Sequence, residues 1–158
     1  LETLLYQPQE QARPLSSLIT ARQLLSETCP EPCWAIPDIL PVGLAFVAGA
    51  PKVGKSWFVL QLAHALTSGG IMLQKKIEMG PALYLALEDS ARRLQDRMRK
   101  QSWSPDQDCD FVLMKDFHST VGYLNENGLE KCIMLMEEKR YRLVIIHTLY
   151  RAIAGDQN

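Results

Sequence analysis

No apolar run in this sequence approaches the roughly 20 residues that a membrane-spanning helix needs. The opening stretch, LETLLYQPQEQARP, lacks the basic and apolar blocks of a secretion signal. It also lacks an initiating Met, as expected of a trimmed chain. Net charge is nearly absent, at −1 over 158 residues, so no global positive field marks the chain as a nucleic-acid binder. The four cysteines, Cys29, Cys33, Cys109 and Cys132, lack zinc-site spacing. Cys29 and Cys33 flank Pro-Glu-Pro and invite a metal or disulfide reading, but no second Cys/His pair of matching spacing follows. A reduced, cytoplasmic protein with no membrane partner is the expectation. Repeats and low-complexity tracts are missing too. What is present is 47% apolar and 22% charged residues, which suits one globular domain with a real core and is short for two.

Residues 1–40 read as an N-terminal helix followed by a Pro-rich strap. Thr20 with Gln23 fits a capping box that opens a short helix. Four prolines then fall within about fifteen residues around CPEPCWAIPDILPVG, a density that argues against regular helix and sheet. Trp34 and Ile36 are expected to tuck into apolar surface. From there to residue 158 the pattern alternates strand and helix. GLAFVAG (43–49) is a continuous apolar run, as expected of a parallel strand covered on both faces. Phe58, Leu62, Ala65 and Leu66 then recur at helical spacing, and Gly69-Gly70 is a stop. PALYLAL (81–87), DFVLMK (110–115) and RLVIIH (142–147) read as further strands, with Ile71–Leu73 a weaker one. A charged helix with Leu94 and Met98 inside follows the second strand, and another spans 128–140. WSPDQD and HSTVGYLNENG read as loops. Such alternation implies a parallel sheet with right-handed crossovers and helices on its faces.

Between the first strand and its helix lies GAPKVGKS, with Gly49, Gly54, Lys55 and Ser56 in the spacing G-x-x-x-x-G-K-[ST]. A polyphosphate needs a ring of backbone N–H donors, and only a tightly folded loop supplies one. Gly49 and Gly54 tolerate positive φ and keep side chains out of the way, while the helix start offers its positive dipole end. The candidate nucleotide-binding set is Gly49, Ala50, Pro51, Lys52, Val53, Gly54, Lys55, Ser56 and Trp57. Lys55 is expected to reach the β- and γ-phosphates, and the Ser56 hydroxyl to ligate Mg²⁺.

Binding is not hydrolysis, which also needs an oriented water and a carboxylate behind the metal. Glu88 stands at the C-terminal end of LYLALED, where ligands of open parallel sheets lie, and could polarise the attacking water. The bland alternative is that Glu88 and Asp89 only begin the next helix, where acids suit the dipole. The roles are expected to split, with Glu88 functional and Asp89 the N-cap. A second carboxylate is expected at the end of another apolar strand, yet LVIIH puts His147 there. Imidazole is a poor ligand for a hard, oxygen-preferring cation. His147 therefore reads as a degenerate magnesium site, with Thr148 able to add only an uncharged hydrogen bond. A transition-metal reading would need His64 or His118 beside it.

These segments resemble the RecA-like P-loop ATPases of the RepA-type hexameric replicative helicases, AAA-family ATPases common on plasmids and other mobile elements. The stretches that carry the likeness are LPVGLAFVAGAPKVGKSWFVLQLAHAL, ALYLALEDSARRLQDRMR and RLVIIHTLYRA, so it covers about residues 35–155. It implies a three-layer α/β sandwich with a mainly parallel sheet, ATP and Mg²⁺ as cofactors, and Lys55 and Ser56 as their ligands. It also implies Glu88 as the catalytic carboxylate and a hexamer in the full-length parent. The family carries Asp where this chain has His147, the Walker B position. Its domains also continue past that strand into DNA-contacting loops, so the resemblance makes residues 41–158 a partial core, with DNA contact through the missing part. Three functions stay open: a helicase-type ATPase module, a nucleotide-binding regulatory or assembly module with little or no hydrolysis, and a small-molecule kinase lacking an evident lid. The cluster Arg92, Arg93, Arg97, Arg99 and Lys100 touches DNA or a neighbouring nucleotide in one reading, and is merely a solvated face in the other.

Overall fold

The computed structural model describes residues 18–154. The described residues fall into two compact units, divided between Pro32 and Cys33. In the first, helix α1 spans Ala21–Ser26 and opens with the expected capping box. The Thr20 amide donates to Gln23 Oε1 at 2.9 Å, and the Gln23 amide returns to Thr20 Oγ1 at 3.3 Å.

The second unit begins with a hairpin where the proline density argued against regular sheet. Strands β1 (Trp34–Ile36) and β2 (Leu40–Pro41) pair antiparallel. The prolines permit it by position. Pro30 and Pro32 precede β1, Pro37 lies in the turn, and Pro41 ends a two-residue strand. Ile36 is buried in a cluster with Leu62, Ala65, Leu66 and Ile77, whereas Trp34 keeps 39% of its surface exposed. Only one of the two expected anchors is therefore inside.

The run 43–49 is a correction. It forms no strand, and Leu44, Phe46 and Val47 are 86%, 71% and 50% exposed. An apolar segment becomes a buried strand only when a neighbouring edge accepts its backbone hydrogen bonds, and none of the described strands pairs with it. Helix α2 (Lys55–Ser68) follows as expected, with Gly69 at φ 62° closing it. The amides of Gly69 and Gly70 return to the carbonyls of Leu66 and Ala65. The weaker strand expected at 71–73 is half of a small hairpin, β3 (Ile71–Met72) with β4 (Lys75–Lys76), apart from the main sheet.

The main sheet comprises β5 (Ala82–Ala86), β6 (Cys109–Leu113) and β7 (Leu143–His147), all parallel in the order β6-β5-β7. Every β5 residue is buried, which is why its sequence is continuously apolar rather than alternating. Its two faces divide by the pleat. Leu83 and Leu85, with Leu87, join Phe117, Val121, Cys132 and Ala152 on one side. Tyr84 and Ala86 join Leu60, Ala63, Leu94 and Ile145 on the other. The first cluster comes from α4 (Met114–Thr120), α5 (Leu129–Lys139) and α6 (Leu149–Ala152), the second from α2 and α3 (Ala91–Lys100). The result is the expected three-layer α/β sandwich on a parallel sheet.

Helix α4 occupies part of what reads as strand and loop in the sequence. Phe117 and Val121, four residues apart and fully buried, pin its inner face. Residues Leu124–Gly128 make an irregular turn before α5, which starts one residue later than the spacing predicts.

Candidate functional site

Three elements meet at the C-terminal ends of the sheet's strands. β5 and β7 lie side by side with Ala86 opposite His147, and the Leu87 amide donates to the His147 carbonyl at 2.8 Å. The first turn of α2 faces them, with Ser56 Oγ 2.9 Å from His147 Nε2. The glycine loop and the end of the strand that lacks its expected acid are thus in direct contact.

Within the loop, Gly49 and Gly54 take φ of 157° and 97°, and Lys52 also lies in the left-handed region at 66°. A Cβ on Gly54 would meet nothing within 4 Å, so backbone conformation rather than space is what requires glycine there. Gly54 is also the N-cap of α2 and offers no side chain to its orphan amides. The Lys55 ammonium donates to the carbonyls of Gly49 and Ala50 at 2.7 and 2.8 Å. A cation, an uncapped fourteen-residue helix start and a left-handed loop converge, and this donor set suits a polyphosphate.

Magnesium fits in a narrower sense. Among the described residues, no three His, Cys, Asp or Glu side chains cluster to hold a metal. An ion there would draw most of its oxygens from phosphate and water, with Ser56 as its protein ligand, as Mg²⁺ commonly does.

Glu88 sits one residue past Leu87, with its side chain 55% exposed and Oε2 3.9 Å from His147 Nε2. Asp89 is different. Its side chain is 2% exposed, paired with Arg97 at 2.5 Å and Arg93 at 3.4 Å. It is not the N-cap of α3, because Ser90 takes that role by accepting from the Arg93 amide at 3.3 Å. Arg97 in turn lies over the Trp57 ring, 5.7 Å from its centroid, and Gln101 donates to the Trp57 carbonyl at 3.0 Å. Helix α3 is thereby fastened to the first turn of α2.

His147 is mostly buried, 12% exposed at its side chain. Burial pushes its pKa down and favours the uncharged ring, against the opposing pull of Asp89 and Glu88. Its Nδ1 has no hydrogen-bond partner and lies 3.7 Å from Asp89 Oδ2. The Tyr84 hydroxyl is likewise buried without a partner, and burial first, then the Asp89 charge, pushes that phenol up. The other histidines are elsewhere. His64 bonds Gln107 and His118 packs on Tyr123.

The sequence spacing picks out Ser56, Glu88 and His147, which the fold brings together, and Lys55, which neighbours Ser56 and turns back onto the loop. It misses Asp89 and Arg97 as a buried pair behind them. The signal available was Arg97 on the same helical face as Leu94 and Met98, a cation among inward-facing apolar residues. Of the arginine cluster, Arg97 is buried and Lys100 is paired with Asp96, while Ser90, Arg92, Arg93, Asp96 and Arg99 line an open hollow of about 480 Å³. That hollow contains no residue of the glycine loop. Cys29 and Cys33 are both free thiols.

A three-layer parallel α/β fold with a phosphate loop at the strand ends defines a P-loop NTPase-like module. The chain matches the AAA domain family over residues 8–158 and belongs to it. Membership makes it a nucleotide-binding module of the ATPase type. A comparison with curated proteins found no match. Among the described residues, no helix is long and apolar enough to cross a membrane.

Proposed function

We propose that the chain is the ATP-binding module of a RepA-like DNA helicase, hydrolysing ATP with Mg²⁺ in an oligomeric full-length parent. The contact of Ser56 with His147 carries this reading, since it joins the phosphate loop to the strand ends that bear Glu88. Lys55 exchanges its loop carbonyls for the β- and γ-phosphates. Ser56 would hold magnesium, which would supply neutralisation of phosphate charge. Glu88 accepts a proton from a water that attacks the γ-phosphorus, and the bond to the bridging oxygen breaks with its electron pair leaving on ADP. The outward arginines of α3 are consistent with contact to a nucleic-acid backbone. Titration with a fluorescent ATP analogue tests the site. Lys55→Ala is expected to weaken binding about tenfold or more, roughly 1.4 kcal/mol. Equal affinity in the two proteins would sink the assignment.

His147 favours a second reading, in which nucleotide is bound for regulation or assembly with little turnover. A neutral imidazole bonded to Ser56 brings no negative charge to the metal. Phosphate release from His147→Asp separates the two. A gain in turnover over the parent identifies His147 as the limiting residue, whereas no gain with Mg-ATP still bound places the limit elsewhere.

A further inference from the structure

Asp89 has no structural task at the helix start, because Ser90 caps α3. Its carboxylate is nonetheless buried, and Arg97 and Arg93 hold it in place. It lies 3.7 Å from the one ring nitrogen of His147 that has no partner, while the other nitrogen meets Ser56 Oγ at 2.9 Å. We propose that Asp89 is a positioning residue for the magnesium ligand, acting through His147 to fix the direction of the Ser56 hydroxyl. The proposal rests on the nucleotide-binding reading and adds the carboxylate that the end of β7 lacks, supplied from the adjoining strand's extension.

An ionised carboxylate is an acceptor only, so a lone pair on Nδ1 facing Asp89 Oδ2 would be repelled. The hydrogen of the neutral ring therefore belongs on Nδ1, and a small closure brings it onto Asp89. Nε2 is then left with its lone pair, so the Ser56 hydroxyl must donate to it. With its hydrogen committed inward, the Ser56 oxygen presents lone pairs outward, which is what a hard cation requires. In the opposite tautomer, Nε2–H would consume a Ser56 lone pair and turn the hydroxyl hydrogen toward the ion. Glu88 Oε2, 3.9 Å from Nε2, disfavours the proposed order only weakly, since that side chain is 55% exposed and screened by water. Tyr84 meets the ring only at a centroid distance of 6.2 Å.

Two measurements test this. Long-range ¹⁵N–¹H spectra of the nucleotide-free chain should show His147 protonated at Nδ1. In Asp89→Asn, Arg97 claims the amide oxygen and the amide N–H₂ faces Nδ1, so the ring should switch to Nε2–H. Affinity for a fluorescent ADP is then compared in EDTA and in Mg²⁺. The wild type should gain affinity with the metal, and Asp89→Asn should lose about tenfold of that gain while its EDTA affinity changes less than about twofold. A purely structural role would lower both affinities together. An Nε2–H ring in the wild type overturns the proposal without any variant, even if Asp89→Asn fails to fold. An undiminished magnesium gain in Asp89→Asn overturns it as well. No nucleotide binding by the wild type in either condition overturns the nucleotide reading and the magnesium role together, and the spectrum still decides the proton order.

Discussion

The surroundings of His147 fix the sign with which its titration bears on stability. Asp89, Glu88, Arg93, Arg97 and Tyr84 surround it, and burial outweighs the two carboxylates to hold its pKa below about 6.5, the ordinary value. Between the folded and unfolded values the unfolded chain binds more protons, so stability rises with pH there. The contribution is complete above about pH 6.5 and is lost as pH falls toward the folded value. Melting temperatures recorded from pH 8 down to pH 5 should decline below about 6.5, and His147→Gln should remove part of that slope. An equal slope in both proteins would show that another group governs it.

At the scale of elements, two adjacent residues should separate cleanly. Ser90→Ala removes a cap and should cost about 1 kcal/mol. Asp89→Ala strips the partner from the buried Arg97 and should cost about 3 kcal/mol or more. Urea unfolding of both variants checks the order, and a larger loss at Ser90 would reverse the assignment. The sequence reads Asp89 as the cap, but the tertiary burial of Asp89 against Arg97 takes its carboxylate away and leaves the cap to Ser90. The same limit explains the run 43–49. Its composition matches that of β5, yet β5 has edges on both sides and 43–49 has none. Strand composition is local, but strand pairing is not. Helix α4 was hidden because its inner face is carried by Phe117 and Val121 in a stretch whose polar residues signal a loop. The phosphate loop was legible throughout, since its residue spacing itself encodes the turn and the helix start.

For the whole molecule, charge and apolar exposure are unevenly spread. A chain of net charge −1 carries five cations against one carboxylate on α3. Leu44, Phe46 and Val47 meanwhile are exposed on a segment that pairs with none of the described strands. Exposed apolar extended segments favour association between chains. Phe46→Lys should therefore leave stability within about 0.5 kcal/mol and raise the concentration at which the chain stays monomeric. Light scattering across a dilution series, alongside a urea melt, reads both. A loss of several kcal/mol would mean that Phe46 is buried in solution.

The hold of Lys55 on the carbonyls of Gly49 and Ala50 bears on how quickly a ligand is taken up. The ammonium buckles the loop to itself, so the loop keeps its curvature before any anion arrives. Little chain entropy is then left to lose on binding, and association is limited by encounter rather than by folding of the loop. The rate constant for uptake should scale linearly with nucleotide concentration, with no plateau set by a slow ordering step.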